Sequence, residues 1–155
     1  MNRPLRFLLD GYCYHVVSVT RRRRPLFRDP HRAEILQDTI LNTSRAGRAY
    51  VLAYAILPDH FHLLVAPRSG SISDVMKSIK GYTVKRINEM EGRRSSIWQE
   101  GYYDRVIRDE EQFRLTLEYI HRNPVEAGLA DRQDAYRFSS AYPGAETDLE
   151  AYFGG

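Results

Sequence analysis

Between Tyr12 and Thr20 the chain alternates, with Tyr12, Tyr14, Val16 and Ser18 on one side and Cys13, His15, Val17 and Val19 on the other. That period of two predicts a strand, which runs directly into four arginines, Arg21 to Arg24. Pro30 then opens a helix of about four turns, in which Ile35, Leu36, Thr39, Ile40 and Thr43 fall at helical spacing before Gly47 breaks it. Residues Arg48 to Ile56 and His60 to Ala66 read as two strands of a hairpin joined at Leu57-Pro58-Asp59 and closed by Pro67. Ser71 with Asp74 three residues on marks a second helix start, and Ile72, Val75, Met76, Ile79, Thr83, Ile87 and Met90 form its apolar face up to Gly92. A polar loop from Gly92 to Gly101 carries Arg93, Arg94 and Trp98. Tyr102 to Arg108 is a fourth strand, and Asp109 to Asn123 a third helix stopped by Pro124. Beyond Gly128 no periodicity is clear, so residues 130–155 are expected to form an irregular tail.

The order β-α-β-β-α-β-α predicts an α+β fold: a ferredoxin-like antiparallel sheet with helices on one face and an additional C-terminal helix. At 155 residues the chain fits one domain spanning 1–155. Many unrelated activities share this fold, so function has to be sought in particular residues.

Composition narrows the setting. No apolar run approaches the roughly 20 residues needed to span a bilayer, and Phe7-Leu8-Leu9 is cut short by Asp10 despite Arg3 and Arg6 beside it. A cytoplasmic protein with no membrane partner is expected. The lone Cys13 excludes an internal disulfide and reads as a strand residue. The formal charge of +3 is mild, yet all but three of the 23 basic residues are arginine, which favours forked contacts to phosphate. A solvated surface with an arginine bias has the same composition, so this alone does not assign a partner.

Two groups of residues could carry chemistry. His60 and His62 are two apart on a strand and present both imidazoles on one face, which can chelate a metal, although two histidines bonded to their neighbours give the same pattern. On the third helix Tyr119 and Asn123 are four apart and lie about 40° from each other around the axis. They flank the stripe of Phe113, Leu117 and Ile120, whereas His121 points to nearly the opposite flank and is a poor third ligand. Tyr119 is one of 11 tyrosines, and Tyr82, bordered by Lys80, Lys85 and Arg86, rivals it as a nucleophile on these grounds.

The segments AYAILPDHFHLLVAP and LEYIHRNPVEAGL resemble the REP-associated tyrosine transposases, an IS200-like family of the HUH single-strand nuclease superfamily. The similarity also takes in YCYHVVSVTRRRRPLF, SIKGYTVKRIN and IWQEGYYDRVI, in the family's order from Tyr12 to Leu129. The His-hydrophobe-His triplet is His60-Phe61-His62. The resemblance implies that Tyr119 is the nucleophile, that Asn123 is the polar third ligand one turn later, and that Tyr82 is not the attacking group.

It also implies a Mg²⁺ or Mn²⁺ ion held by His60, His62 and Asn123, and a strand cleavage giving a 5′-phosphotyrosine and a free 3′-hydroxyl. The implied partner is single-stranded or hairpin DNA, for which Arg21, Arg22, Arg23, Arg24, Arg93 and Arg94 offer phosphate contacts and Trp98 a stacking surface. Family members acting at REP hairpins resemble monomers, and a monomer is expected, with a homodimer as the alternative. Two other functions fit the residues alone: a non-catalytic nucleic-acid-binding module, and a metal-dependent hydrolase in which the histidines activate water.

Overall fold

Along the strands, side-chain alternation feeds two separate cores. The computed structural model describes residues 13–154; the expected strand residue Tyr12 and the N-terminal Arg3, Arg6, Phe7, Leu8, Leu9 and Asp10 lie outside them. Four strands, β1 (Cys13–Val19), β2 (Ala49–Leu57), β3 (His60–Pro67) and β4 (Tyr103–Ile107), form one antiparallel sheet in the order β2-β3-β1-β4. Val16, Phe61, Leu63 and Val65 point to one face and pack under α1 (Pro30–Arg45) and α2 (Ile72–Glu91), with Leu36, Ile40, Met76 and Ile79 among the buried partners. Cys13, Leu64, Ala66 and Ile107 point to the other face and pack under α3 (Glu110–Glu126) through Phe113 and Ile120. The added helix therefore covers the face opposite the first two.

The helix starts follow their sequence signals. Asp29 caps α1 by accepting from the His31 N–H at 2.9 Å, and Ser71 and Asp74 form a reciprocal capping box on α2. A register shift between Val51 and Ala53 turns both Leu52 and Ala53 toward the α3 core, which a strictly alternating strand would not do.

Two expectations change. Pro124 does not stop α3, which continues to Glu126. A proline ring removes one backbone hydrogen bond and crowds the preceding turn, but Pro124 is buried and packing offsets that cost. The helix ends one turn later in a Schellman arrangement: Gly128 takes φ 76°, its N–H donates to Val125 O at 3.0 Å, and Leu129 N–H donates to Pro124 O at 2.9 Å. Asn123 is thereby kept helical.

The tail is mostly turn and bend, but it is tied to the sheet and ends in a short helix. Ile56 N–H donates to Phe138 O and Ser140 N–H to Tyr54 O, each at 2.9 Å, so residues 138–140 cover the free edge of β2. A short helix, α4 (Leu149–Gly154), then buries Tyr152 in the α3 core. Three paired residues and one and a half turns are too short to show a period.

Candidate active site

On the α3 face, the antiparallel register brings three histidines together. Val19 opposes His60 and Val17 opposes His62, so the same face of β1 carries His15 next to His62. The His60 and His62 rings lie 5.1 Å apart, and His15 stacks on His62 at 5.2 Å. His15 Nε2 sits 3.0 Å from His62 Nδ1, while His60 Nδ1 sits 2.7 Å from Asp59 Oδ1. His62 is 4% exposed. Burial, with His15 and His60 nearby, pushes its pKa down to about 3, and burial with the Arg105 charge pushes His15 down to about 4. Both rings are therefore neutral near pH 7. Burial raises the Asp59 carboxyl, but the bonds from His60 and Arg23 outweigh it and hold Asp59 below the usual carboxylate range.

Tyr119 meets this cluster from α3. Its ring stands edge-on to His62 at 5.5 Å and to His15 at 6.0 Å, yet it remains 41% exposed. Asn123 follows one turn later, partly buried, with its backbone carbonyl capping the helix end at Ala127. His121 points elsewhere, as its helical phase predicts, and its Nε2 lies 2.7 Å from Ser140 Oγ in the tail. Tyr82 lies on α2, so the sheet separates it from the histidine pair; it lines a cavity between α1 and α2 instead.

The donor set suits a divalent ion. In both His60 and His62 the Nδ1 is engaged and the Nε2 has no hydrogen-bond partner among the described residues, which leaves one imidazole lone pair on each ring for a metal. No group of three His, Cys, Asp or Glu side chains that could hold a metal ion occurs among the described residues, and a third ligand of the amide-oxygen type lies outside that set. Asn123 is of that type.

The basic residues are divided. Arg21 Nη1 donates to Ser96 Oγ at 3.0 Å, Arg24 Nη2 to Ser96 O at 2.8 Å, and Arg23 pairs with Asp59 at 3.3 Å. Arg93 pairs with Glu91 at 3.0 Å. Arg22 and Arg94 have no side-chain partner among the described residues. Arg22 and Arg23 both sit in the left-handed region, at φ 56° and 52°, where a side chain costs about 1–2 kcal/mol. Trp98 is not a free stacking platform: its rings pack on Phe27 and Phe61, each at 5.4 Å, and its indole N–H donates to Lys80 O at 3.2 Å.

Beside Tyr119 an open cleft of about 610 Å³ separates α3 from β1 and β4, lined in part by His15, Tyr103, Arg105, Thr116, Tyr119 and Arg122. His15, Tyr103 and Arg105 escaped sequence reasoning as site residues. His15 shares the parity of Val17 and Val19 on β1, and pairing β1 against the His60-His62 strand would have set it beside them.

Comparison with known proteins fits this arrangement. Residues 9–123 match the family model described as Transposase IS200 like. The chain is 24% identical over 136 residues to the REP-associated tyrosine transposase of Escherichia coli K12, covering 86% of this chain and 78% of that one. A solved structure of a REP-associated tyrosine transposase bound to a REP hairpin superimposes with a TM-score of 0.71 at 22% identity, over 88% of this chain and 82% of the other. At that identity the likeness establishes the fold.

Proposed function

The chain belongs to the IS200-like transposase family, and from that premise we propose that it cleaves single-stranded or hairpin DNA with Tyr119 as the nucleophile. The observation that carries this reading is the edge-on approach of the half-exposed Tyr119 ring to the buried His62. A residue filling the core would be covered; Tyr119 instead faces both the histidines and solvent.

In the reaction, the Tyr119 phenol loses its proton and its oxygen attacks the scissile phosphorus, forming a P–O bond. The bond to the 3′-oxygen breaks, that oxygen takes up a proton, and the 5′ phosphate stays on Tyr119. The 3′-hydroxyl can later reverse the step, so strands can be rejoined without an external energy source. His60, His62 and Asn123 would hold Mg²⁺ or Mn²⁺, which supplies Lewis-acid neutralisation of charge on the phosphoryl oxygens. Asp59 and His15 hold the two rings in orientation, and burial keeps His62 neutral near pH 7, so its Nε2 lone pair is available. The histidines and Tyr119 meet within one chain, which supports a monomer acting in cis.

The likeness to a transposase bound to a REP hairpin supports a hairpin as the DNA form. The test incubates the protein with 5′- and 3′-labelled hairpin oligonucleotides and Mn²⁺ and looks for an adduct that survives denaturation. Tyr119→Phe abolishes it and Tyr82→Phe leaves it. An adduct that persists in Tyr119→Phe overturns the assignment, and cleavage without any adduct points to the hydrolase.

A further inference from the structure

Arg105 stands out among the arginines around the site. It projects from β4, the edge strand of the sheet, toward α3, where a single bond of 3.4 Å joins its Nη2 to Thr116 Oγ1. It makes no ion pair among the described residues. Asp104 lies on the same cleft without bonding to it, and Arg122 across the cleft pairs only at 3.7 Å with Glu126. Its charge is close enough to contribute to the low pKa of His15. An uncompensated guanidinium is thus held beside neutral imidazoles, next to the nucleophile.

Tyr103 occupies the same face of β4 two residues earlier, directly opposite Val17 in the register. It is 63% exposed, and with Leu115 and Tyr119 it forms a patch of exposed large apolar side chains around the cleft that reaches His15 of the histidine cluster. Exposed aromatics clustered with an unpaired cation fit neither a packed core nor a merely solvated face. The cleft volume falls within the range of ligand-binding clefts, roughly 300–1,000 Å³. Being at a sheet edge, it opens sideways, so a polymer can enter and leave it.

We infer that this cleft is a nucleotide-binding subsite for single-stranded DNA, with a phosphate on Arg105 and an unpaired base stacked on Tyr103. The inference rests on the proposed function and adds a grip that the Arg21–Arg24 turn does not supply. Arginine suits the phosphate because its fork can make two bonds, and tyrosine suits the base because every base offers a π face. Recognition of this kind tolerates sequence changes and requires an unpaired base. The subsite would therefore hold the strand that flanks the cleavage point, not a duplex stem.

The test measures binding by fluorescence anisotropy to a labelled oligothymidylate of about 12 nucleotides, in the Tyr119→Phe background so that no chemistry intervenes. Tyr103→Ala weakens binding roughly 10-fold and Tyr103→Trp restores it. Arg105→Ala weakens binding and lowers the slope of log affinity against log salt by about one. On an oligomer of the same length with abasic sugars, Tyr103→Ala makes no difference while Arg105→Ala still does. Circular dichroism confirms that the variants fold, as the exposure of both residues leads one to expect. Unchanged binding in Tyr103→Ala, or an equal loss on the abasic strand, overturns the subsite. Because adduct formation is not read, a failure of Tyr119 as nucleophile and a failure of this cleft give different results.

Discussion

His15 Nε2 and His62 Nδ1 lie 3.0 Å apart, and for His62 to offer its Nε2 to a metal, its proton must sit on Nδ1 and point at His15. His15 then accepts through Nε2 and carries its own proton on Nδ1. The relationship fixes two tautomers at once, where His60 uses the Asp59 carboxylate for the same purpose. His15→Ala is expected to weaken Mn²⁺ binding about 10-fold, the lower end for loss of an outer-shell partner. Electron paramagnetic resonance titration of free Mn²⁺ reads this directly, and nitrogen-15 imidazole spectra should show His62 shifting from the Nδ1–H form toward a mixture. His15→Gln, which keeps an acceptor, should recover part of both signals. An unaltered His62 tautomer in His15→Ala would count against the role.

The same two rings set an acid limit on the metal-free fold. Their folded pKa values of about 3 and 4 lie below the 6.5 of an ordinary imidazole, so between these values the unfolded chain binds protons that the folded chain does not. Stability is then fully present above pH 6.5 and falls as pH drops toward 4. Thermal melts in chelator at pH 7.5, 6 and 5 should show a declining midpoint, and the decline should be blunted in a His15→Gln, His62→Gln variant. A flat profile across that interval would show that the rings are not buried neutral.

At the far edge of the sheet, Asp148 closes the tail onto β2. Its carboxylate accepts from the Val51 N–H at 2.8 Å and its own N–H donates to Val51 O at 2.8 Å, beside the irregularity at Leu52. Asp148→Ala leaves the Val51 donor without its side-chain acceptor and should cost about 1–3 kcal/mol. Urea unfolding should show a lower midpoint with an unchanged slope. Adduct formation on hairpin DNA, measured well below the melting temperature, should persist, because the tail lies on the opposite edge from β4.

The sheet and its helices were legible because each rests on local signals: alternation in β1, the turn at Leu57-Pro58-Asp59, the capping box at Ser71 and Asp74. The phase of α3 likewise placed Tyr119 toward the histidines and His121 away from them, since helical geometry is nearly constant over one turn. What could not be read depends on partners distant in sequence. His15 meets His62 across 47 residues, and only the β1–β3 register shows it. The continuation of α3 through Pro124 depends on burial, and the 138–140 segment has no period because its pairing with β2 is three residues long. Arg21 to Arg24 looked like one basic unit, but its side chains go to Ser96, to Asp59 and, at Arg22, to solvent.

Trp98 separates the roles of packing and DNA contact. It lies in the loop before β4, bridges Thr20 at the end of β1 and covers Phe27 and Phe61 in the core under α1 and α2. Its removal should cost about 3 kcal/mol, at the low end for a large aromatic because its ring is only partly buried. Trp98→Phe, which keeps most of the ring but loses the hydrogen bond to Lys80 O, should recover most of that stability. Oligothymidylate affinity should be nearly unchanged in Trp98→Phe at a temperature where both proteins are folded, whereas Tyr103→Ala should show the reverse, weak binding with an unaltered melt. If Trp98→Phe instead bound DNA poorly while melting like the parent protein, Trp98 would belong to the binding surface.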